Sequence, residues 1–229
     1  MFTERNSDQA ETALRRGLEI AEAIGDGANK FKLLARLNMF YRRTGDYRLL
    51  LPLALEAERT AQAIGDPAGI AGGKGLVGVS YHLIGDQRAA QLHLEEGVTG
   101  GEALRRMQPG HFAYSRTPQI PLARVLWLLG FPDQAVECAR PLTGAAAPRD
   151  AVMYCIALCW SASLYGWVGD WSSVEQMSAR LSAHAASHAL APYQAVAAGF
   201  RAQTMIARGE FEEGIELLHA VLPRLHADR

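Results

Sequence analysis

Apolar side chains recur at three- and four-residue intervals along almost the whole chain. Leu34, Leu37 and Tyr41 form one such stripe, Val77, Tyr81 and Ile84 a second, and Leu158, Ala162 and Tyr165 a third. This is the spacing of one face of a helix, and no run alternates apolar and polar residues over a useful strand length. The pattern predicts helices over 8–24, 28–44, 49–64, 68–84, 87–99, 118–129, 133–143, 149–168, 172–188, 192–208 and 211–226.

The stripes are punctuated at regular intervals. A turn signature appears at Gly45-Asp46-Tyr47, Gly85-Asp86-Gln87, Gly130-Phe131-Pro132-Asp133, Gly169-Asp170-Trp171 and Gly209-Glu210-Phe211. The glycines lie 40, 45, 39 and 40 residues apart. A second series, Ala23-Ile24-Gly25-Asp26 and Ala63-Ile64-Gly65-Asp66, is also spaced by 40 and falls half a period away. Glycine closes a helix in the left-handed region and aspartate caps the next, so the unit is helix–turn–helix. Asp66-Pro67 and Thr117-Pro118 are further helix starts, although Pro121 falls early in the helix that follows. The 45-residue interval implies a longer loop at 100–117, around Gly100-Gly101 and Pro109-Gly110. The expected fold is all-α: a single domain over residues 1–229, a right-handed α-solenoid of about five and a half units with a period near 40.

Gly73-x-Gly75-x-x-Gly78, with Lys74 inside it, has the spacing of a dinucleotide-binding turn. That turn needs a strand before it and a helix opening within it, and here a helix end, a turn and a second helix start precede Gly73. A phosphate-binding P-loop fails as well, because Ala68 stands where its first glycine belongs and Gly75 where a serine or threonine would hold the metal. The glycines are expected to let neighbouring helices approach closely, and no cofactor is expected.

Small and aromatic residues in a first helix, Gly-Asp-aromatic in the turn, and small residues in the second helix resemble the tetratricopeptide repeat (TPR). Gly78, Tyr81, Gly85, Asp86 and Ala90 carry the resemblance in one unit, Leu34, Leu37, Tyr41, Gly45, Asp46 and Tyr47 in another, and Tyr165, Gly169, Asp170 and Trp171 in a third. The stretch from Leu126 to Ala135, LWLLGFPDQA, resembles the long-repeat regions of bacterial STAND-type ATPase regulators with cyclase or winged-helix output domains. None of the ATPase, cyclase or DNA-binding motifs of those proteins is present. The resemblance therefore implies a sensor or scaffold segment, not an enzyme. At the N-terminal end, Leu14, Leu18 and Ile20 lack an upstream helix, while the Glu-rich side of the last helix could cap the stack.

Composition narrows the partners. Twenty-three Lys and Arg against 24 Asp and Glu leave a net charge of −1, which gives no bulk attraction for nucleic acid or an anionic membrane. No apolar run approaches the length of a membrane span, the N-terminus has no signal-peptide core, and three cysteines suit a reducing compartment; the expected location is cytoplasmic. Cys155 and Cys159, like His184 and His188, are four residues apart and could each give two metal ligands, but core cysteines and surface histidines account for them more simply, and no metal is expected. Ser161 and Ser163 lie mid-helix without a nucleophile elbow.

In a stack of helix pairs the first helices line the inner wall. Projecting the TPR groove onto this sequence selects Arg36, Met39 and Arg43, then Val79 and His82, then Arg124, Trp127 and Leu128. It continues through Cys159, Trp160, Ser163 and Trp167 to Phe200, Gln203 and Ile206. Tryptophan and arginine are enriched in binding hot spots. The expected partner is a protein or peptide, acidic and apolar, including neighbouring domains of a longer parent chain. A second copy bound through exposed terminal helices is also compatible. The competing class is a small-ligand sensor or enzyme with a concave-face pocket in which Arg36, Arg43 or Arg124 holds an anion.

Overall fold

A computed structural model describes residues 4–107, 118–144 and 151–227. The described residues form eleven α-helices and no strand. In chain order these are α1 (Glu4–Ala23), α2 (Gly27–Thr44), α3 (Leu50–Ile64), α4 (Pro67–Ile84), α5 (Gln87–Met107), α6 (Gln119–Leu128), α7 (Pro132–Gly144), α8 (Ala151–Trp167), α9 (Trp171–Ser187), α10 (Ala191–Ala207) and α11 (Phe211–Ala227). A 3-10 turn, Tyr47–Leu49, leads into α3. The chain packs as two compact units, one from Glu4 to Leu129 and one from Gly130 onward. Within each unit, consecutive helices pack on one another in the manner of an α-solenoid.

The punctuation read from the sequence builds these turns. The five glycines between first and second helices, Gly45, Gly85, Gly130, Gly169 and Gly209, have φ between 80° and 99°. At Gly85 the N–H bonds back to His82 and the Asp86 N–H to Tyr81, closing α4, while the Asp86 carboxylate accepts from the Ala89 N–H and opens α5. Asp26, Asp66 and Asp170 cap α2, α4 and α9 in the same way. Pro121 lies in the first turn of α6, where its missing N–H would have no partner in any case.

Ala189 stands where Gly25 and Gly65 stand in their units, two residues before the start of a first helix, and it holds φ 54°. A left-handed residue with a Cβ is strained by roughly 1–2 kcal/mol. Ala189→Gly should therefore raise stability by up to about 1 kcal/mol once the greater freedom of unfolded glycine is subtracted, read as a higher urea midpoint.

Two series of positions carry the core. Seven residues before each turn glycine stand Asn38, Gly78, Ala123, Ala162 and Ala202, and five residues after it stand Leu50, Ala90, Ala135, Val174 and Gly214; all are buried. Asn38, the polar member, donates from Nδ2 to the Leu50 carbonyl at 3.0 Å and to Ser80 Oγ at 3.2 Å, which ties α2 to its neighbours. In the second unit Tyr154, Leu158, Tyr165, Val174, Met177 and Leu181 form an apolar cluster.

One expectation is corrected. α5 does not stop at residue 99 but runs to Met107, so the first part of the expected loop is helix; residues 108–117 lie outside the described residues. Gly97 and Gly100 are packing positions, because a Cβ on Gly97 would come within 3.1 Å of the Ala71 carbonyl and one on Gly100 within 3.3 Å of the Ala71 methyl. At the N-terminal end, Leu14 and Leu18 pack beside Leu37, Tyr41 and Leu50 of the helices that follow, and Ile20 stays 48% exposed.

Candidate interaction site on the first helices

The glycines of α4 act as spacers between helices. A Cβ on Gly73 would lie 2.8 Å from the Glu58 Cα, one on Gly75 2.9 Å from Pro118, and one on Gly78 2.5 Å from Leu94 Cγ. Lys74, the residue that suggested a phosphate, is held by two carboxylates, Glu58 at 3.1 Å and Glu96 at 2.5 Å. The Glu96 and Glu58 hydrogen bonds raise its pKa against the opposing effect of burial. Lys30 makes the same kind of bridge, 2.8 Å from Glu22 and 2.8 Å from Glu56. Each lysine on a first helix thus joins the two second helices that flank it. Sequence reading missed these bridges because the partners lie on separate helices.

In the first unit, α2, α4 and α6 lie side by side, with α4 in contact with both others. Arg36 and Arg43 are exposed on α2, with Met39 half-buried between them. On α4 the expected groove residues sink: Val79 is 3% and His82 7% exposed. His82 Nδ1 lies 2.8 Å from Gln87 Oε1, and the Gln87 amide donates back to the His82 carbonyl. Burial holds the imidazole pKa below its ordinary value against the Gln87 hydrogen bond, and the Arg124 charge adds to the lowering. Burial also lowers the pKa of Arg124 itself. Trp127 is half-buried and Leu128 exposed. The accessible positive charge of the projected wall is therefore that of Arg36 and Arg43, with His82 and Arg124 recessed.

In the second unit, α8 presents Trp160 half-buried and Trp167 38% exposed, while α10 presents Gln203 exposed and Phe200 packed against the apolar cluster. Ser163 is turned to its own helix, donating to the Cys159 carbonyl at 3.0 Å. An open polar pocket of about 250 Å³ between α9 and α10 was not foreseen; Ser178 and Thr204 line it together with Arg201, and the Arg208 guanidinium pairs there with Glu175 at 2.7 and 3.2 Å.

The residues weighed as metal ligands have local roles. Cys155 is buried in the apolar cluster with Cys159 packed against it. His184 meets the Tyr154 ring edge-on at 4.8 Å and His188 at 4.2 Å, with Nε2 3.2 Å from the Ala151 carbonyl. Among the described residues no three His, Cys, Asp or Glu side chains gather as a metal site would require. No described helix is long and apolar enough to cross a membrane.

Helix order, turn geometry and the packing of first against second helices define a TPR-like helical-repeat fold. Comparison with known proteins agrees. The family model of the tetratricopeptide repeat matches residues 117–141, the segment that contains the LWLLGFPDQA stretch. Among solved structures, the nearly identical TPR-like repeats of a Podosopora anserina protein of kinesin light chain type match with a TM-score of 0.58 at 16% identity, over 84% of this chain and 93% of that one. BtubC (BKLC) from P. vanneervenii matches with a TM-score of 0.57 at 18% identity, over 97% of this chain and 91% of that one. No curated protein sequence matches the chain.

Proposed function

We propose that this chain is a non-catalytic protein- or peptide-binding scaffold, a cytoplasmic sensor segment of a bacterial signalling or transcription-regulatory protein. TPR-like repeats generally mediate protein–protein interaction, and the regulator setting rests on the resemblance of the LWLLGFPDQA stretch. The observation that carries the reading is a set of large and basic side chains left accessible on first helices: Arg36 and Arg43 on α2, and Trp167 on α8. Taken unit by unit, carboxylates of a partner suit the Arg36 and Arg43 guanidinium forks of the first unit, and an apolar residue of a partner suits the Trp167 indole of the second.

Trp167, 38% exposed, is more accessible than Trp127 or Trp160 and is the position at which binding and stability are best read together. With a partner isolated by pull-down, Trp167→Ala should weaken binding by about 2 kcal/mol, near thirtyfold, as expected of a hot spot. The stability loss should stay below the roughly 3–5 kcal/mol of a fully buried ring. Charge reversal at Arg36 and Arg43 should lower the association rate and its salt dependence. Lost stability at unchanged affinity would reject the first-helix surface as the binding face.

A further inference from the structure

The seam between a second helix and the first helix after it keeps a fixed register. Eight residues before the turn glycine stand Leu37, Val77, Leu122 and Ser161, and nine residues after it stand Ala54, Leu94 and Ala139; all are buried. The pair α9 and α10 departs from this pattern. Arg201 holds the first position and is exposed, and Ser178 holds the second. Between α7 and α8 the other seam positions are Val136, Leu164, Tyr165 and Val168; between α9 and α10 they are Glu175, Thr204, Met205 and Arg208. Apolar packing is exchanged here for an open pocket of about 250 Å³. The exchange gives up apolar burial, the main stabilising contribution to such a seam.

The polar groups of the pocket are not all used within the protein. Arg208 and Glu175 neutralise one another through two hydrogen bonds, at 2.7 and 3.2 Å. Arg201 has no hydrogen-bond or ion-pair partner among the described residues. The Ser178 hydroxyl donates to the Glu175 carbonyl and the Thr204 hydroxyl to the Phe200 carbonyl, each at 3.0 Å, so both oxygens keep only acceptor capacity. The Glu210 carboxylate is a further acceptor on the lining. A guanidinium with unused donors calls for an anion, and acceptors without donors call for a cation. With two arginines and two glutamates the lining is neutral, so a ligand carrying both charges meets no net repulsion. The volume lies below the roughly 300–1,000 Å³ of drug-sized sites, so the ligand is small. We propose that this pocket binds a free amino acid as its zwitterion, with the carboxylate on Arg201, the ammonium on the Ser178 and Thr204 oxygens, and Met205 against the carbon chain. The site is distinct from Arg36, Arg43 and Trp167 and needs no protein partner.

The test presents the common L-amino acids to the full chain one at a time, at millimolar concentration, and reads melting temperature and calorimetric binding. At least one should raise the melting temperature saturably, as a ligand of the native state does. Arg201→Met should weaken binding of that amino acid at least tenfold. Its carboxamide should lose the same factor against the native chain and nothing further against Arg201→Met. Ser178→Ala, the residue type of Ala54 and Ala139 in the same register, should also weaken binding while the chain stays folded. Arg59→Met, at an exposed arginine of α3, should leave binding unchanged. A panel that produces no saturable shift overturns the proposal. So does binding that survives Arg201→Met, or acetate that binds as tightly as the amino acid.

Discussion

Replacing Leu94 by alanine lowers the stability of the fold by about 2–5 kcal/mol, and a Gly78→Ala substitution in the same chain reduces that loss. Leu94 is fully buried on α5 and lies directly over Gly78 of α4. A Cβ at position 78 would sit 2.5 Å from its Cγ, 2.8 Å from its Cδ2 and 3.0 Å from its backbone nitrogen. Gly78→Ala alone gains roughly 1 kcal/mol of helix propensity. Overpacking costs about 1–3 kcal/mol, and because a main-chain nitrogen is among the crowded atoms the side chain cannot simply swing aside, so the single variant is a net loss. With Leu94 also trimmed, two of the three close contacts disappear and the new methyl enters the vacated space. The two changes should then couple by about 0.5–3 kcal/mol, the double variant being more stable than the sum of the single losses implies. Urea unfolding of the four proteins, followed by helical circular dichroism, measures it, with a constant denaturant slope certifying two-state behaviour. Strict additivity would mean that α4 and α5 do not depend on this contact. The loss is large against the 5–15 kcal/mol of a typical domain, so the single Leu94 variant is best measured at low temperature.

The same contact explains why some of the fold could be read from sequence and some could not. Turn positions were legible because they rest on local chemistry: a glycine that must turn left-handed and an aspartate that caps the next helix, repeated every 40 residues or so. Ala189 escaped that reading because it adopts the glycine conformation without being glycine. The end of α5 was misplaced because Gly100 and Gly101 look like helix breakers in one dimension, whereas in three Gly100, like Gly97 before it, is a point where α5 meets Ala71 of α4. Whether a glycine ends a helix or lets another helix approach is decided by the neighbour, which a local pattern does not contain. The glycine run around Lys74 was legible as packing because the missing strand excluded the alternative. Its Glu58 and Glu96 partners were not, since they come from α3 and α5. Projection of the groove selected first helices but carried no information on exposure. Residues of α2 remain open, while Val79 and His82 sink because α4 has a first helix on each side.

In the native protein the three cysteines should react with an aromatic disulfide reagent at least a hundredfold more slowly than in the urea-unfolded chain. The thiolate is the reacting species, and burial in apolar surroundings disfavours it. Burial pushes Cys138 and Cys155 from an ordinary 9.0 up to about 11, and Cys159, with Cys155 beside it, up to about 12. A rise of three pH units in that value leaves about a thousandfold less thiolate at neutral pH, before any steric protection is counted. The same shifts have a consequence for stability. A folded-state pKa above the unfolded one means that the native chain holds protons the unfolded chain would release. The stabilisation is therefore complete below about pH 9 and is lost as the pH rises toward 12. Tyr41 acts in the same direction, pushed from 10.0 up to about 12 chiefly by burial and then by its hydrogen bond to Glu11. The melting temperature should accordingly fall steadily between pH 8.5 and pH 11, and replacing all three cysteines by alanine should flatten part of that fall while Tyr41 keeps the rest. Native thiols that react as fast as unfolded ones would show that α7 and α8 open freely to solvent, contrary to the packing of Cys155 among Tyr154, Leu158 and Leu181.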